Sequence, residues 1–395
     1  MRIAVIGAGP AGLYAALLVK TWLPAVDVEV FEQNPKDATY GFGIVLADRG
    51  LAYLRKAHAA SAAAIEASSY VTRHRLVHHR SETVFIEEDG YGLAIARLRL
   101  LQILGEFCTR AGVRINYETP VSDVRRLGDR DLVIGSDGAH SVVRRADPDG
   151  FGSTFRTLTN RVAWYGTSRH FPYPVLSFKS NARGNFVGVG YAYSEHAGTF
   201  VAECDRTAWD QGGFGSMTDG ERTAFAESLF RDELDGHALV SNRSVWRTLP
   251  VVRNARWSVG NHVLIGDALQ SAHPSIGSGT RIAMEDAIDL ARAIVRFAPD
   301  VPAIVQHFEV ERRPARQKLL DAMDRSIDWY EELSDHVSAP DAPSLVFDYL
   351  TRTGRITESR LQASFPRFLE RFRPQWNAFQ SARASAPELV TTELR

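Results

Sequence analysis

The sequence GAGPAG at residues 7–12 sets the architecture of this chain. It follows the apolar run Arg2–Ile6 and precedes a helical pattern over Leu13–Trp22. A second apolar run, Asp27–Phe31, comes next. A strand, a glycine turn, a helix and a second strand in this order are typical of the βαβ unit that binds a dinucleotide.

Each glycine of this turn has a separate task in such a unit. Gly7 allows the tight turn, Gly9 lets a pyrophosphate approach the backbone, and Gly12 allows close packing of helix on strand. The free amides at the helix start attract phosphate. Glu32 ends the second strand, where its carboxylate is expected to accept hydrogen bonds from a ribose. This motif alone does not distinguish NAD from FAD.

Two later motifs also end an apolar strand with a carboxylate. The first is DLVIGSDGAHSVVR at 131–144, which presents Asp137. The second is VLIGDA at 263–268, which presents Asp267 and is followed by a glycine-rich segment up to Gly279. An acid at such a strand end is suited to the polyol chain of a long cofactor, and the later glycines open another helix towards negative charge.

The middle of the chain differs from both ends. Short β-branched and aromatic segments separated by turn residues predict an antiparallel sheet. They are Arg161–Thr167, Val175–Lys179, Asn185–Tyr193 and Thr199–Glu203, with Arg73–Glu87 expected to join them. Three- and four-residue apolar spacing predicts helices at Gly279–Phe297, Pro302–Glu332, Ala342–Tyr349 and Pro366–Phe372.

We therefore predict an α/β protein with a Rossmann-type nucleotide-binding domain made of discontinuous segments. An antiparallel β-sheet substrate domain is inserted, and the C-terminus is helical. The predicted nucleotide-binding domain comprises residues 1–70, 97–155 and 256–330. The predicted substrate domain comprises 71–96 and 156–255, and the C-terminal region comprises 331–395.

Composition narrows the function. The 46 Lys and Arg residues against 47 Asp and Glu residues leave a net charge of −1, which argues against a nucleic-acid partner. Cys108 and Cys204 lack metal-ligand spacing, so we predict no metal site and a cytoplasmic setting. The sequence contains no uncharged apolar stretch of the length that a membrane span requires, so we expect no membrane association.

The three motifs, in this order and at these separations, resemble the single-component FAD-dependent aromatic hydroxylases, the group that contains para-hydroxybenzoate hydroxylase. The resemblance covers most of residues 1–330. The sequences YGFGIVL at 40–46, WYGT at 164–167, TFVAE at 199–203 and SIGSGT at 275–280 are similar to one branch. This branch holds anthraniloyl-CoA and salicyloyl-CoA hydroxylases and the indole hydroxylase of violacein synthesis. Two positions depart from the usual pattern, because Gln270 replaces a His and Arg281 replaces a common Asn.

The resemblance implies a bound FAD. Glu32 then binds the adenosine ribose, Arg97 and Asp137 lie along the cofactor, Asp267 holds the ribityl chain, and Gly277–Thr280 faces the flavin ring. The full set of implied cofactor-binding residues is Gly7, Gly9, Pro10, Ala11, Gly12, Glu32, Gln33, Gly43, Arg97, Asp137, Gly266, Asp267, Ile276, Gly277, Ser278, Gly279 and Thr280.

The resemblance also implies the reaction. NAD(P)H reduces FAD as a transient reductant, O₂ adds to give a C4a-hydroperoxyflavin, and one oxygen atom passes to an electron-rich aromatic carbon. The substrate is then an aryl-CoA or an indole-type compound. Two alternatives stay open, namely a flavin oxidase or dehydrogenase and a non-catalytic carrier with this fold.

Substrate contacts are predicted from residue type and position. The candidates for the pocket are Trp164, Tyr165, Phe178, Tyr191, Tyr193, His196 and Pro274. His273 is the candidate catalytic residue, because its imidazole is suited to orienting or deprotonating a hydroxyl or amino group. The competing interpretation is a histidine that only shapes its loop through backbone hydrogen bonds. A homodimer through the helical segment Ala342–Phe372 is also expected.

Overall fold

The structure is a computed structural model that describes residues 1–38, 41–88, 90–271 and 273–385. Tyr40, which belongs to one motif quoted above, lies outside the described residues. The same holds for residues 386–395 of the predicted C-terminal region.

The strands are given first, in chain order. They are β1 (Arg2–Ile6), β2 (Asp27–Phe31), β3 (Gly43–Ala47), β4 (Tyr70–Thr72), β5 (Arg75–His79), β6 (Glu82–Ile86), β7 (Gly92–Ala96), β8 (Arg114–Asn116), β9 (Leu132–Gly135), β10 (Ser153–Thr157), β11 (Arg161–Thr167), β12 (Val175–Asn181), β13 (Gly184–Ser194), β14 (Ala197–Cys204), β15 (Val240–Ser241), β16 (Pro250–Asn254), β17 (Ser258–Val259) and β18 (His262–Leu264).

The helices follow in the same order. They are α1 (Pro10–Trp22), α2 (Asp48–Ala57), α3 (Ala59–Ala67), α4 (Arg97–Ala111), α5 (Val142–Ala146), α6 (Pro148–Phe151), α7 (Arg206–Asp210), α8 (Asp219–Leu229), α9 (Arg231–Leu234), α10 (Gly266–Leu269), α11 (Gly279–Phe297), α12 (Val301–Glu331), α13 (Leu333–His336), α14 (Ala342–Thr351), α15 (Glu358–Ser364), α16 (Pro366–Arg371) and α17 (Arg373–Ser385).

The nucleotide-binding sheet has the strand order β17-β18-β9-β1-β2-β8. All its pairs are parallel except β17 with β18. The central strand β1 is buried along Ile3–Ile6, as expected for a parallel strand that is covered on both faces. The predicted Rossmann-type sheet is confirmed.

Helix α1 begins inside the glycine motif, three residues before the predicted start at Leu13. Pro10 occupies the first turn, where its fixed backbone angle suits a helix and its missing N–H costs nothing. Gly12 then lies against the strand end. A Cβ atom at this position would stand 2.1 Å from the carbonyl oxygen of Gly7.

A mixed sheet forms the second layer, in the order β15-β11-β14-β13-β12-β5-β6. The prediction that Arg73–Glu87 joins it is confirmed, through β5 and β6. The prediction of a purely antiparallel sheet was wrong for one strand pair, because β5 and β12 run parallel to each other. The chain between these two strands passes through the other sheet, so no hairpin forces them to be antiparallel.

The two faces of this mixed sheet have different neighbours. We call the face that carries Tyr165 the outer face and the face that carries Phe178 the inner face. The outer face carries Tyr165 and Phe200, which pack with Phe214 and Trp246. The inner face carries Phe178 and residues whose side chains point the same way by pairing register. These are Trp164, Leu176, Val187, Val189, Tyr191, Thr199, Val201 and Glu203.

The helical C-terminus covers part of the inner face. Phe178 and Val187 share one apolar cluster with Trp329 of α12 and with Phe347 of α14. Helix α14, which the sequence suggested for a subunit contact, therefore packs on the chain's own sheet. In the described part of the chain, no helix is both long and apolar enough to span a bilayer. The domain boundaries given above stay a prediction.

We expect Gly12→Ala to destabilise the fold by about 3 kcal/mol, because the added methyl group overlaps the Gly7 carbonyl oxygen and overpacks the interface. Gly220→Ala in α8 is the matched control, since no described atom lies within 4 Å of its added Cβ. Urea unfolding of both variants checks this. Equal unfolding free energies for the two variants would contradict the close packing of α1.

Candidate active site

The three carboxylate motifs meet at one edge of the nucleotide-binding sheet. Gly135 at the end of β9 pairs with Ile6 of β1 on one side and with Leu264 of β18 on the other. Carboxyl ends of parallel strands share one edge, so the turns that follow are neighbours. The Ser136 hydroxyl joins two of them by donating to the carbonyl oxygens of Ile6 at 2.8 Å and Gly7 at 3.0 Å.

The glycine turn has no room for a side chain at Gly7. Gly7 has a φ of 96°, and a Cβ atom there would stand 2.8 Å from the Cα atom of Asp137. Gly9 is the N-cap of α1 and has no side chain with which to cap it, and the first turn contains no acid. The amides at this helix start are therefore available to an anion.

Glu32 lies beside the same turn. One carboxylate oxygen accepts a hydrogen bond from the Ala8 backbone N–H at 2.8 Å. The other oxygen accepts from the backbone and the side chain of Asn34, at 2.8 and 2.7 Å. A carboxylate has about four lone-pair sites, so capacity for ligand hydroxyl groups is left. The neighbouring Gln33 is exposed.

Asp137 has one occupied and one unoccupied oxygen. Its Oδ2 atom accepts from the Val142 N–H at 2.6 Å. Its Oδ1 atom is buried and has no hydrogen-bond partner among the described residues. Burial raises the pKa of this carboxyl group. A buried oxygen without a partner is costly, so Oδ1 is suited to receive a donor from a bound ligand.

Asp267 follows β18 at this edge, and Arg97 at the start of α4 lies close to it. Burial lowers the pKa of Arg97, and the nearby Asp267 carboxylate partly offsets that effect. Asp267 is exposed in the first turn of α10. The preceding Gly266 has a φ of 60°, and its added Cβ would lie 3.3 Å from the Cβ atoms of Ala11 and Ala283. The site therefore joins α1, α4, α10 and α11.

A buried ion-pair network supports the Gly266 turn from behind. The Gly266 N–H donates to Asp286 at 3.0 Å, and Asp286 pairs with Arg316 and Arg312. Arg316 also donates to the Gln270 side-chain oxygen at 2.8 Å. The unusual Gln270 is thus an acceptor for a buried guanidinium group.

The second unusual residue, Arg281, also belongs to a charge network. It pairs with Glu285, which in turn accepts from Arg312 at 3.0 Å. Its aliphatic stem lies against Gly50, where an added Cβ would stand 2.5 Å from the Arg281 Cδ atom. Its charge is therefore paired within the protein by a carboxylate that it shares with Arg312.

The segment after α10 leads into an uncapped helix start. Pro274–Ile276 forms one turn of 3₁₀ helix, and Gly277 has a φ of 58° with no described atom within 4 Å of its added Cβ. Helix α11 begins at Gly279, with Ser278 making no side-chain cap within the described ranges. Thr280 lies in its first turn. An uncapped start of a long helix favours negative charge next to it.

His273 is a neutral donor in this segment. Burial, aided by the Arg352 charge, lowers its pKa to about 3. Its Nδ1 atom accepts from the Ser275 N–H at 3.2 Å, which leaves the proton on Nε2. The ring lies 5.5 Å from the Tyr330 ring. This arrangement favours the loop-shaping interpretation and offers a hydrogen-bond donor rather than a base.

Several predicted pocket residues surround Gly43. The Tyr191 hydroxyl donates to the Gly43 carbonyl oxygen at 2.8 Å, and the Gly43 N–H donates to the Thr199 hydroxyl at 2.7 Å. The Tyr193 ring lies 2.5 Å from the position of an added Gly43 Cβ. Trp164 shares the inner face with Tyr191. Gly43 thus connects the inner face to β3.

Three other candidates lie elsewhere. Tyr165 points to the outer face, where its hydroxyl accepts from Trp246 at 2.8 Å. Phe178 is on the inner face, but it packs in the C-terminal aromatic cluster with Trp329 at 5.8 Å. His196 is exposed at the turn between β13 and β14. The structure does not bring these three together with Gly43.

The sequence analysis assigned no role to Glu203, which is 5% exposed on the inner face. Its carboxyl group accepts from the Asn160 amide at 2.9 Å, and this amide also donates to the Tyr330 carbonyl oxygen at 2.7 Å. Burial raises the pKa of Glu203 to about 8, the Asn160 hydrogen bond opposes this, and Glu331 adds to it. The sequence did offer one sign of this residue, because Glu203 is an acid at the end of the otherwise apolar strand sequence TFVAE.

The raised pKa of Glu203 predicts a pH-dependent stability. The folded protein holds this proton up to about pH 8, whereas an ordinary Glu loses it near 4.5. The contribution to stability is therefore complete below pH 4.5 and is lost as the pH rises through 8. We expect a loss on the order of 3 kcal/mol, absent in Glu203→Gln.

Urea unfolding from about pH 5 to about pH 8 measures this difference. The exposed Glu195, at the turn between β13 and β14, gives the control Glu195→Gln, which is expected to keep the wild-type pH slope. If Glu203→Gln also keeps that slope, Glu203 is ionised in the folded protein and the assignment fails.

Comparison with known proteins places this geometry in a family. Residues 1–323 match the FAD binding domain family. Salicyloyl-CoA 5-hydroxylase of a Streptomyces species is 34% identical over 95% of this chain and 74% of its own length. A 3-hydroxy-4-methyl-anthranilyl-[aryl-carrier protein] 5-monooxygenase of Streptosporangium sibiricum is 34% identical, covering 90% of this chain and 95% of that protein.

Two further similarities agree with this placement. Protodeoxyviolaceinate monooxygenase of Chromobacterium violaceum is 30% identical over 85% of this chain and 91% of its own length. The solved structure of 2-methyl-3-hydroxypyridine-5-carboxylic acid oxygenase superposes with a TM-score of 0.68 at 18% identity, covering 92% of this chain and 95% of that one, and so shows the shared fold. The chain belongs to the FAD binding domain family and is an FAD-dependent monooxygenase.

Proposed function

We propose that this enzyme hydroxylates an aromatic ring that is attached as an acyl group to CoA or to a carrier protein. Two of the relatives named above act, by their names, on substrates of this kind. The observation that supports a joint site for flavin and aromatic ring is the meeting of three strand ends at Gly135, next to a second sheet that Gly43 connects to the site. One ligand-binding edge and one aromatic face are thereby joined.

The residues at the sheet edge fit FAD. The uncapped start of α1 suits the pyrophosphate, and Glu32 beside it suits the adenosine ribose. The buried Oδ1 atom of Asp137, which has no partner in the described chain, fits a donor group along the cofactor. Asp267 would hold the ribityl chain, with Arg97 close to it.

The residues after α10 fit the flavin ring. The amides of Ser278, Gly279 and Thr280, at the uncapped start of α11, would hold negative charge on the reduced ring. Bound FAD supplies the chemistry, because it takes electrons from NAD(P)H and passes one oxygen atom of O₂ to the aromatic substrate. His273, next to Pro274, lies beside Tyr330, which belongs to the same apolar cluster as Phe178 of the inner face.

The protein's own task is to position the substrate and to exclude water. Trp164, Tyr191 and Tyr193 would line the aromatic pocket, while the Nε2–H group of His273 would orient a polar substituent. The C-terminal helices cover part of the inner face and keep water from its apolar residues. Three residues are left out of the proposed pocket, because they lie on the outer face, in the C-terminal aromatic cluster and at an exposed turn; they are Tyr165, Phe178 and His196, respectively.

We further propose a cytoplasmic enzyme that forms a homodimer. The cytoplasmic setting is supported by Cys108 and Cys204, which are both free and buried. The α14 surface packs on the chain's own sheet, so the dimer contact would have to use other surfaces. Light scattering of the purified enzyme tests the dimer.

A substrate panel tests the proposed reaction. With FAD, NAD(P)H and ¹⁸O₂, we expect one ¹⁸O atom in the product of an aryl-CoA compound and much less in free acids or indoles, as read by mass spectrometry. Incorporation only into an indole would overturn the thioester proposal. Peroxide release with every aromatic compound, or bleaching of FAD by substrate without NAD(P)H, would overturn the hydroxylase function.

Asp267→Ala tests the proposed ribityl contact. We expect the Kd for FAD to rise by about tenfold or more, because a hydrogen bond to a charged acceptor is lost. Titration of apoprotein with FAD, followed by flavin fluorescence, measures this. Asp321→Ala, an exposed carboxylate on α12, is the matched control. An FAD affinity in Asp267→Ala equal to that of the control would refute the contact.

A further inference from the structure

Arg352 connects the C-terminal helices to the turn at Pro274–Ile276. It follows the last residue of α14 and reaches three partners through separate nitrogen atoms. Its guanidinium group donates to the Ser275 carbonyl oxygen at 2.8 Å, to the Ser326 hydroxyl at 3.0 Å and to the Tyr349 carbonyl oxygen at 2.6 Å. One side chain thus ties this turn to α12 and α14.

Additional contacts hold the guanidinium plane in place. Its central carbon lies 3.8 Å from the centre of the Tyr349 ring and 6.0 Å from that of Tyr330. The hydroxyl groups of Ser275 and Ser326 lie 2.9 Å apart, which adds a second link between the turn and α12. Ser326 is completely buried. Stacking of an arginine on an aromatic face fixes its orientation as well as its position.

The position of this turn matters for the segment that follows it. The Gly277 N–H donates to the Pro274 carbonyl oxygen at 2.9 Å, so the first glycine of the flavin-facing segment continues directly from the turn. The turn also contains Ser275, which donates its N–H to His273. Displacing Ser275 would therefore move both the imidazole and the amides at the start of α11.

We propose that Arg352 is a positioning residue for the flavin-facing segment Gly277–Thr280, acting through the Ser275 turn. The proposal rests on the flavin site proposed above. Arg352 lies beyond residue 323, where the match to the FAD binding domain family ends. The C-terminal helices thus complete the cofactor site and do more than cover the sheet.

Lysine is not an adequate replacement at this position. An ammonium group is a point charge without a planar fork, so it has no geometry to reach Ser275, Ser326 and the Tyr349 carbonyl together while stacking on a ring. Arg352→Lys keeps the positive charge but loses the planar guanidinium group, so it tests the effect of geometry apart from that of charge. Arg352→Met keeps most of the apolar stem and removes both the positive charge and the guanidinium hydrogen bonds.

The test is FAD titration of apoprotein with the absorption spectrum of the bound flavin as a second readout. We expect Arg352→Met to raise the Kd for FAD by about tenfold and to change the visible bands of bound flavin. Arg352→Lys is expected to show the same spectral change, with a smaller loss of affinity. If Arg352→Met does not fold, the spectrum of Arg352→Lys decides.

Arg325→Met is the matched control. Arg325 is exposed on α12 and donates to the Thr353 carbonyl oxygen at 2.8 Å, so it also links α12 to the end of α14 but does not touch the turn. Wild-type affinity and spectrum in both Arg352 variants, or equal losses in Arg325→Met, would overturn the proposal. Failure of every aromatic compound in the ¹⁸O₂ panel would overturn the hydroxylase function and leave this result standing.

Discussion

The close approach of three backbone turns at one sheet edge is the constraint on which the rest of the structure depends. Gly135 lies between Ile6 and Leu264, so the turns after β1, β9 and β18 occupy one small region. There is no room for a side chain at Gly7 or Gly12, since a Cβ atom there would overlap backbone or side-chain atoms. Because the backbone turns lie so close together, their amides and carboxylates form one surface that is suited to binding an extended nucleotide.

The second half of helix α12 makes polar contacts to the turns around the proposed site. Arg316 reaches the turn that carries Asp267, Ser326 reaches the turn at Ser275, and the Tyr330 carbonyl oxygen binds Asn160 next to the inner face. These contacts are directional and at least partly buried, so each fixes a register between elements that apolar packing alone would leave adjustable. The site is therefore held by polar contacts from a helix that presents no predicted cofactor-binding residue.

The sequence was sufficient for the parallel sheet and for its motifs, because the spacing of glycines and terminal carboxylates is a local property. The strand Arg161–Thr167 and the helix Gly279–Phe297 were predicted with their observed bounds. The orientation of residues within the mixed sheet was harder. Trp164 and Tyr165 are neighbours in sequence, yet they face opposite sides of the sheet, and only the pairing register decides which side meets the site. Arg352 gave no local signal, since its partners come from distant parts of the chain.

A crystal structure of the enzyme with FAD tests the central claim most directly. The account predicts that the pyrophosphate lies at the start of α1 between Gly9 and Asp137, and that the ribityl chain contacts Asp267. It also predicts that the ring lies between the Ser278–Thr280 amides and the inner face of the mixed sheet. A flavin bound with its ring on the outer face, or with its pyrophosphate away from α1, would contradict the account.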